Sequence, residues 1–265
     1  MAVITLISDL GTKDYYLAAL KASVLRRMPS CQLVDISHHI PPFNISKAAF
    51  VLRNVWHEFP DKTVHVISVD SNWESDSPYT IVEKDKHFFL GADTGVFSLL
   101  FNGEPADAVY TVKLDGDEDL SFPTKSILMP VATRLANGEK PEKIGERSDG
   151  YKVRPSINPV VEPQNIRGMV IYVDAYGNVI TNITQSLFEE VVGKKRFTIV
   201  LRRGGIEVQS ISRAYSEVPQ GEVVALFTSE GYLEIAINRG VEGSGGGATN
   251  LLGLKESDIV RVEFD

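Results

Sequence analysis

Two aspartates stand where a carboxylate could do chemistry. Asp9 directly follows the apolar run of residues 3–7, in Ile7-Ser8-Asp9-Leu10-Gly11-Thr12, and Asp70 closes Ile67-Ser68-Val69-Asp70. A carboxylate at the end of a buried strand can accept two hydrogen bonds from a vicinal diol, hold a metal or orient a water. Either aspartate is also, on its own, an ordinary helix cap or turn residue. Asp35 ends a strand too, but Ile36-Ser37-His38-His39 continues with less shape. Asp9-Leu10-Gly11-Thr12 resembles the phosphate loop of actin-like kinases. There the loop joins two strands; here it opens a helical pattern, and Asp174-Ala175-Tyr176-Gly177-Asn178 does not supply the second such loop. The five histidines do not fall at metal-ligand spacing.

The elements that must position these residues alternate in type. Residues 3–7, 32–36 and 63–69 read as strands, and 14–28 and 45–58 carry apolar residues at helical spacing. Strands follow at 79–83, 87–90 and 108–113, with helices near 95–102 and 125–137. Strands alternating with helices predict an α/β N-terminal domain with a mostly parallel sheet, whose ligands bind beyond the carboxyl ends of the strands. Residues 1–150 form that domain. Residues 151–166, with Pro155, Pro159 and Pro163, read as a linker that prolongs an irregular stretch beginning at Pro141. Residues 167–265 read as a smaller all-β barrel or sandwich, with strands at 168–173, 178–182, 196–202, 206–210, 222–228, 231–237 and 258–264. Gly243-Ser244-Gly245-Gly246-Gly247 reads as a flexible loop rather than a phosphate cradle.

Bulk properties narrow the function classes. The net charge of −8 argues against a general nucleic-acid grip, which needs a basic patch to displace counterions. No apolar stretch approaches the ~20 residues needed to span a bilayer. The N-terminus lacks the basic segment and long apolar core of a signal peptide. The single cysteine, Cys31, permits no intrachain disulfide and reads as a buried apolar residue. A cytoplasmic protein is expected.

In order and spacing, many short pieces resemble one family. They are Ser8-Asp9-Leu10-Gly11-Thr12, Val34-Asp35-Ile36-Ser37-His38, Ala48-Ala49-Phe50, Thr63-Val64-His65-Val66, His87-Phe88-Phe89-Leu90-Gly91 with Asp93-Thr94-Gly95, Asp174-Ala175-Tyr176-Gly177-Asn178 leading to Thr181-Asn182, and Ser229-Glu230-Gly231-Tyr232-Leu233-Glu234-Ile235-Ala236. The family is the S-adenosylmethionine hydroxide adenosyltransferases, relatives of the bacterial fluorinase and chlorinase. The resemblance implies a homotrimer with sites shared between subunits, a small-molecule adenosyl ligand, and no cofactor or metal. Carried over by position, Asp9 holds the ribose diol, Phe43 lies near ribose and methionine, Tyr215 packs on adenine, and Asn178 contacts adenosine's polar edges. Asp174 and Ser229 meet the amino-acid end of methionine. Phe43 and Tyr215 as core, and Asn178 as a turn residue, remain the plain alternatives.

The sequence departs from the family at the water. The hydrolases carry an Asp-Arg-His set; Asp70 matches the aspartate, but Ser77 stands where the arginine belongs and Pro123 takes the histidine's place. Asp70 is thus the one catalytic residue carried over, and Asp70, Ser77, Thr124 or Lys125 are left to hold the water. Thr124 aligns with a halide-side serine of the fluorinase. The function expected is hydrolysis of S-adenosylmethionine to adenosine and L-methionine. The alternatives are an adenosyl-binding protein without turnover and a halide-using adenosyl transferase.

Overall fold

A computed structural model describes residues 2–201, 207–240 and 246–265. The chain divides into two compact units, Met1–Ser156 and Ile157–Asp265.

The first unit is built on β1 (Val3–Ser8), α1 (Tyr16–Arg27), β2 (Gln32–Ser37), α2 (Ile45–Arg53), β3 (Val64–Ser68), β4 (Tyr79–Lys84), β5 (His87–Ala92), α3 (Val96–Leu100), β6 (Ala108–Val112), α4 (Met129–Ala136) and β7 (Gly145–Ser148). The strands form one seven-stranded sheet in the order β2-β1-β3-β5-β4-β6-β7. β1 and β3 are buried along their whole length, as mainly apolar, β-branched runs require when helices cover both faces. On one face Ile4, Leu6, Val64 and Val66 pack with Leu20 and Val24 of α1 and with Val131 and Leu135 of α4. On the other, Ile7, Ile67 and Phe89 pack with Ala48, Ala49 and Leu52 of α2 and with Val96 and Leu100 of α3. Cys31 lies buried in the first of these cores.

The expectation of a mostly parallel sheet is corrected. β2-β1, β1-β3 and β3-β5 pair parallel, but β5-β4, β4-β6 and β6-β7 pair antiparallel. β4 and β5 are joined by Asp85 and Lys86 alone, both at positive φ. Such a two-residue turn closes a hairpin and cannot make a parallel crossover.

The helix expected over 125–137 begins as a π turn, Thr124–Leu128, and continues as α4. Pro130 has no N–H to give the carbonyl of Ser126, and its ring would crowd that carbonyl in a regular α-helix. The wider turn immediately before it relieves both problems.

The second unit holds β8 (Val160–Glu162), β9 (Asn165–Val173), β10 (Val179–Thr184), α5 (Gln185–Val191), β11 (Phe197–Leu201), β12 (Glu207–Val208), β13 (Val223–Phe227), β14 (Tyr232–Ile237), α6 (Ala248–Leu252) and β15 (Ile259–Phe264). Its sheet is antiparallel, in the order β12-β11-β15-β9-β10-β14-β13, with β8 added beside β9. An isolated bridge between Ser212, just after β12, and Leu226 of β13 brings the two ends near closure. β15 alternates exposed and buried residues strictly, so one sheet face fills the core. The β domain expected here is this nearly closed antiparallel sheet, to which the short helices α5 and α6 are added. The stretch expected as a linker contains β8, and most of the Gly-rich loop, residues 243–245, lies outside the described residues. No helix among the described residues is long and apolar enough to cross a membrane.

Candidate functional site

Asp9, Phe43 and Asp70 come together beyond the carboxyl ends of β1 and β3. Asp9 Oδ2 accepts a hydrogen bond from the Phe43 N–H at 2.9 Å and a longer one from the Asp70 N–H at 3.4 Å. Among the described residues nothing bonds Oδ1. Both donors have left-handed backbones, with φ of 63° at Phe43 and 51° at Asp70. Aspartate tolerates that region; for a bulky side chain such as phenylalanine it is a real outlier. Phe43 gains little packing in return, since the residue is 64% exposed. Two left-handed backbones, one of them strained, thus aim their amides at one carboxylate, and such strain concentrates at functional sites.

A set of hydroxyls lies beside Asp70. Thr124 Oγ1, at the start of the π turn, is 2.8 Å from Ser68 Oγ and 3.0 Å from Ser71 Oγ. The Tyr79 hydroxyl donates to the Ser71 carbonyl, and burial pushes the phenol up to about 12, so it stays a donor at neutral pH. Trp73 tilts against Tyr79 with ring centroids 5.6 Å apart. Ser68, Ser71 and Tyr79 were not singled out from sequence. Ser71 stands next to Asp70, which was the only available signal for it.

Ser77 and Pro123, the two positions expected to depart from the family, differ in what they meet. Ser77 is buried, and its hydroxyl accepts from Lys152 Nζ at 3.1 Å, while the same ammonium reaches Asp76 at 3.3 Å. A cation, the Lys152 ammonium, thus stands beside Ser77. Pro123 only precedes the π turn and offers no side-chain bond.

The candidate residues of the second unit make mostly local contacts. Asp174 Oδ1 accepts from the N–H groups of Tyr176 and Asn178, both at 2.9 Å, and Oδ2 accepts from Asn178 Nδ2 at 3.2 Å. Gly177, at φ 78°, completes this turn. Ser229 is exposed and donates to the neighbouring Glu230 carboxylate at 2.5 Å. Tyr215 is half-exposed, and its hydroxyl donates to Glu234 Oε1 at 2.8 Å. Glu234 is buried on β14, and burial first, then Asp174 and Glu230, push its carboxyl up against the lowering effect of the Tyr215 bond. Burial and the Glu234 bond push the Tyr215 phenol up in turn. Asp174, Tyr215, Glu230 and Glu234 therefore form one acidic neighbourhood. Glu234 was not among the residues expected here; a charge inside the apolar run of β14 was its signal.

The chain matches the SAM hydroxide adenosyltransferase N-terminal domain over residues 4–145 and the C-terminal domain of the same family over residues 168–261. The chain belongs to the SAM hydroxide adenosyltransferase family. Within it, an (R)-S-adenosyl-L-methionine hydrolase from Thermus thermophilus is 27% identical over 99% of this chain and 100% of its own. A fluorinase from Nocardia brasiliensis is 22% identical over 89% of this chain and 90% of its own. The crystal structure of an uncharacterized conserved protein from Thermotoga maritima superposes with a TM-score of 0.86 at 29% identity, covering 99% of each chain. The SAM hydroxide adenosyltransferases are an enzyme family, and Asp9 and Asp70 lie within the residues matched by its N-terminal domain, the Asp174–Asn178 turn within those matched by its C-terminal domain.

Proposed function

We propose that the protein hydrolyses S-adenosyl-L-methionine to adenosine and L-methionine. The observation that carries the reading is the convergence of the Phe43 and Asp70 amides on Asp9 Oδ2. It fixes a carboxylate beyond the sheet and leaves Oδ1 to accept from a ribose diol. Asp9 holds the ribose, and Phe43 lies against the sugar and the methionine. Tyr215 packs on adenine and Asn178 meets its polar edge. Asp174 and Ser229 serve the amino-acid end, where an acidic neighbourhood suits an ammonium group. The curated (R)-S-adenosyl-L-methionine hydrolases that the chain resembles support the activity.

The reaction is an in-line displacement. Water attacks the ribose 5′ carbon, a C–O bond forms, and the C–S bond breaks with its electron pair leaving on sulfur. The sulfonium becomes a neutral thioether, so the leaving group needs no acid, and the water's proton passes by way of Asp70 to solvent. Most of the catalytic task is then placing one water in line. Asp70 and the hydroxyls of Ser68, Ser71 and Thr124 place it, in the absence of the family's arginine and histidine. The enzyme acts in the cytoplasm without metal or cofactor. Its assembly is a homotrimer, which sedimentation equilibrium tests against the 29.2 kDa chain mass.

Pro123 favours a second reading, an adenosyl-binding protein without turnover, and the hydroxyls at Thr124 would also seat a halide. Incubation of the purified protein with S-adenosylmethionine, with and without chloride, separates the three by chromatography. Adenosine and methionine in halide-free buffer support the hydrolase. Bound ligand recovered intact points to the binding protein, and a chlorinated nucleoside formed only with chloride points to the transferase.

A further inference from the structure

The turn that carries Asp9 is held by a chain of groups with no assigned role. Ser8 and His38 are both buried, and Ser8 Oγ lies 2.7 Å from His38 Nδ1. On the other side of the ring, His38 Nε2 lies 3.1 Å from Asp35 Oδ1, close but off the line of an ideal hydrogen bond. Asp35 is also paired with Lys21 Nζ at 2.6 Å. Partial burial works to raise the Asp35 carboxyl, but the Lys21 and His38 contacts bring it below its ordinary value, so an anion faces the imidazole. With the ring proton on Nε2 towards that anion, Nδ1 is the acceptor and the Ser8 hydroxyl donates to it. Ser8 Oγ is then left to accept from the Leu10 N–H at 3.4 Å.

His38 grips the same turn a second time. Its carbonyl accepts from the Gly11 N–H at 2.8 Å, and Gly11 is at φ 67°. The residues on both sides of Asp9 are therefore tied to His38, one through a side chain and one through the backbone. The pairing of β1 with β2 shows how the sequence brings this about. Leu6 pairs with Asp35 but Ile7 pairs with Ser37, so Ile36 is an extra residue in β2. Such a bulge re-aims the side chains that follow it.

Ser, His and Asp in this order also spell a hydrolytic triad, but Ser8 is only 1% exposed, so no substrate reaches it. The geometry points to a different role: His38, steadied by Asp35 and acting through Ser8, is a positioning residue that fixes the Asp9 turn for ribose binding. The ribose part of this inference rests on the proposed function; the fixing of the turn does not.

Two measurements test it on the full chain: amide hydrogen exchange over residues 9–12 without ligand, and calorimetric affinity for adenosine. They are made on wild type, Ser8→Ala, His38→Ala and His38→Asn, and on the His38 variants combined with Asp9→Ala. Ser8→Ala and His38→Ala are expected to speed exchange of the turn and weaken adenosine by about tenfold, the scale of one lost buried hydrogen bond. His38→Asn, whose amide reaches the place of Nδ1, is expected to restore most of both. In the Asp9→Ala background the His38 changes should cost adenosine affinity nothing further, because residues acting as one unit are not additive. Unchanged exchange in both Ser8→Ala and His38→Ala overturns the inference, as does an affinity loss that adds in full to that of Asp9→Ala. If wild type binds no adenosine, the proposed function falls, and exchange alone decides whether His38 holds the turn.

Discussion

β3 has two ends of opposite character. Near its start, His65 is fully buried; Thr5 Oγ1 lies 2.8 Å from its Nδ1 and His87 Nδ1 lies 3.1 Å from its Nε2. Phe89 stacks on His65, Phe59 meets it edge-on, and Trp56 meets His87 edge-on. Just past its other end, Asp70 and Phe43 hold left-handed backbones to reach one carboxylate, and the large side chain involved is left exposed. One end satisfies its polar groups by packing, and the other keeps an acceptor in hand at a cost in backbone energy. The contrast separates residues that maintain the fold from residues that the fold maintains.

Asp70 is where the two ends of β3 differ most in consequence. Asparagine also tolerates a left-handed backbone, so Asp70→Asn should keep the geometry and the Asp9 contact while losing the proton acceptor. Turnover of S-adenosylmethionine is expected to fall by roughly 10²–10⁴-fold, the span of general-base effects, with adenosine affinity nearly unchanged. Equal turnover by the variant would remove Asp70 from the chemistry. Asp9→Ala should lower adenosine affinity by roughly 2–4 kcal/mol, two hydrogen bonds to a charged acceptor partly replaced by water. Calorimetry reads this, and an unaltered affinity would remove Asp9 from the site.

The His65 end should show itself in stability instead. Burial first, and His87 second, hold the His65 imidazole down to about 3. The unfolded chain takes up that proton near pH ~6.5 and the folded chain does not, so stability is full above that pH and is lost as pH falls towards 3. Between pH 7.5 and pH 5 this group should remove about 2 kcal/mol, measured by urea unfolding. His65→Asn should flatten that dependence and leave adenosine affinity at neutral pH intact. The smallest effect joins the two ends: Phe43→Gly should relieve the left-handed strain and raise stability by about 0.5–1 kcal/mol, while weakening the ligand. A loss of stability instead would mean that the Phe43 ring is packed better than its exposure implies.

Sequence made one kind of information visible and hid another. β1 and β3 were plain because a strand buried on both faces is mainly apolar and β-branched, and Asp9 and Asp70 were plain because they directly follow those runs. The antiparallel half of the sheet was readable in Asp85-Lys86, too short a link for a crossover, yet went unread. β7 lay in a stretch dominated by prolines. The Phe43–Asp9 bond spans 34 residues and depends on a backbone conformation that phenylalanine does not favour, so no local pattern announces it. Asp174 shows the opposite case. Among the described residues its side-chain bonds reach residues 176 and 178, which the Tyr-Gly-Asn turn already suggested. Lys152 at Ser77 was beyond reach, because 75 residues separate the two in the chain.

The central claim is that water attacks the 5′ carbon with Asp9 holding the ribose. Turnover of S-adenosylmethionine in halide-free buffer made with oxygen-18 water, followed by mass spectrometry of the adenosine, tests it most directly. One heavy oxygen on the 5′ carbon, with adenosine formation abolished in Asp9→Ala, is the predicted result. Adenosine without the label, or no adenosine from a protein that binds the ligand tightly, would contradict it.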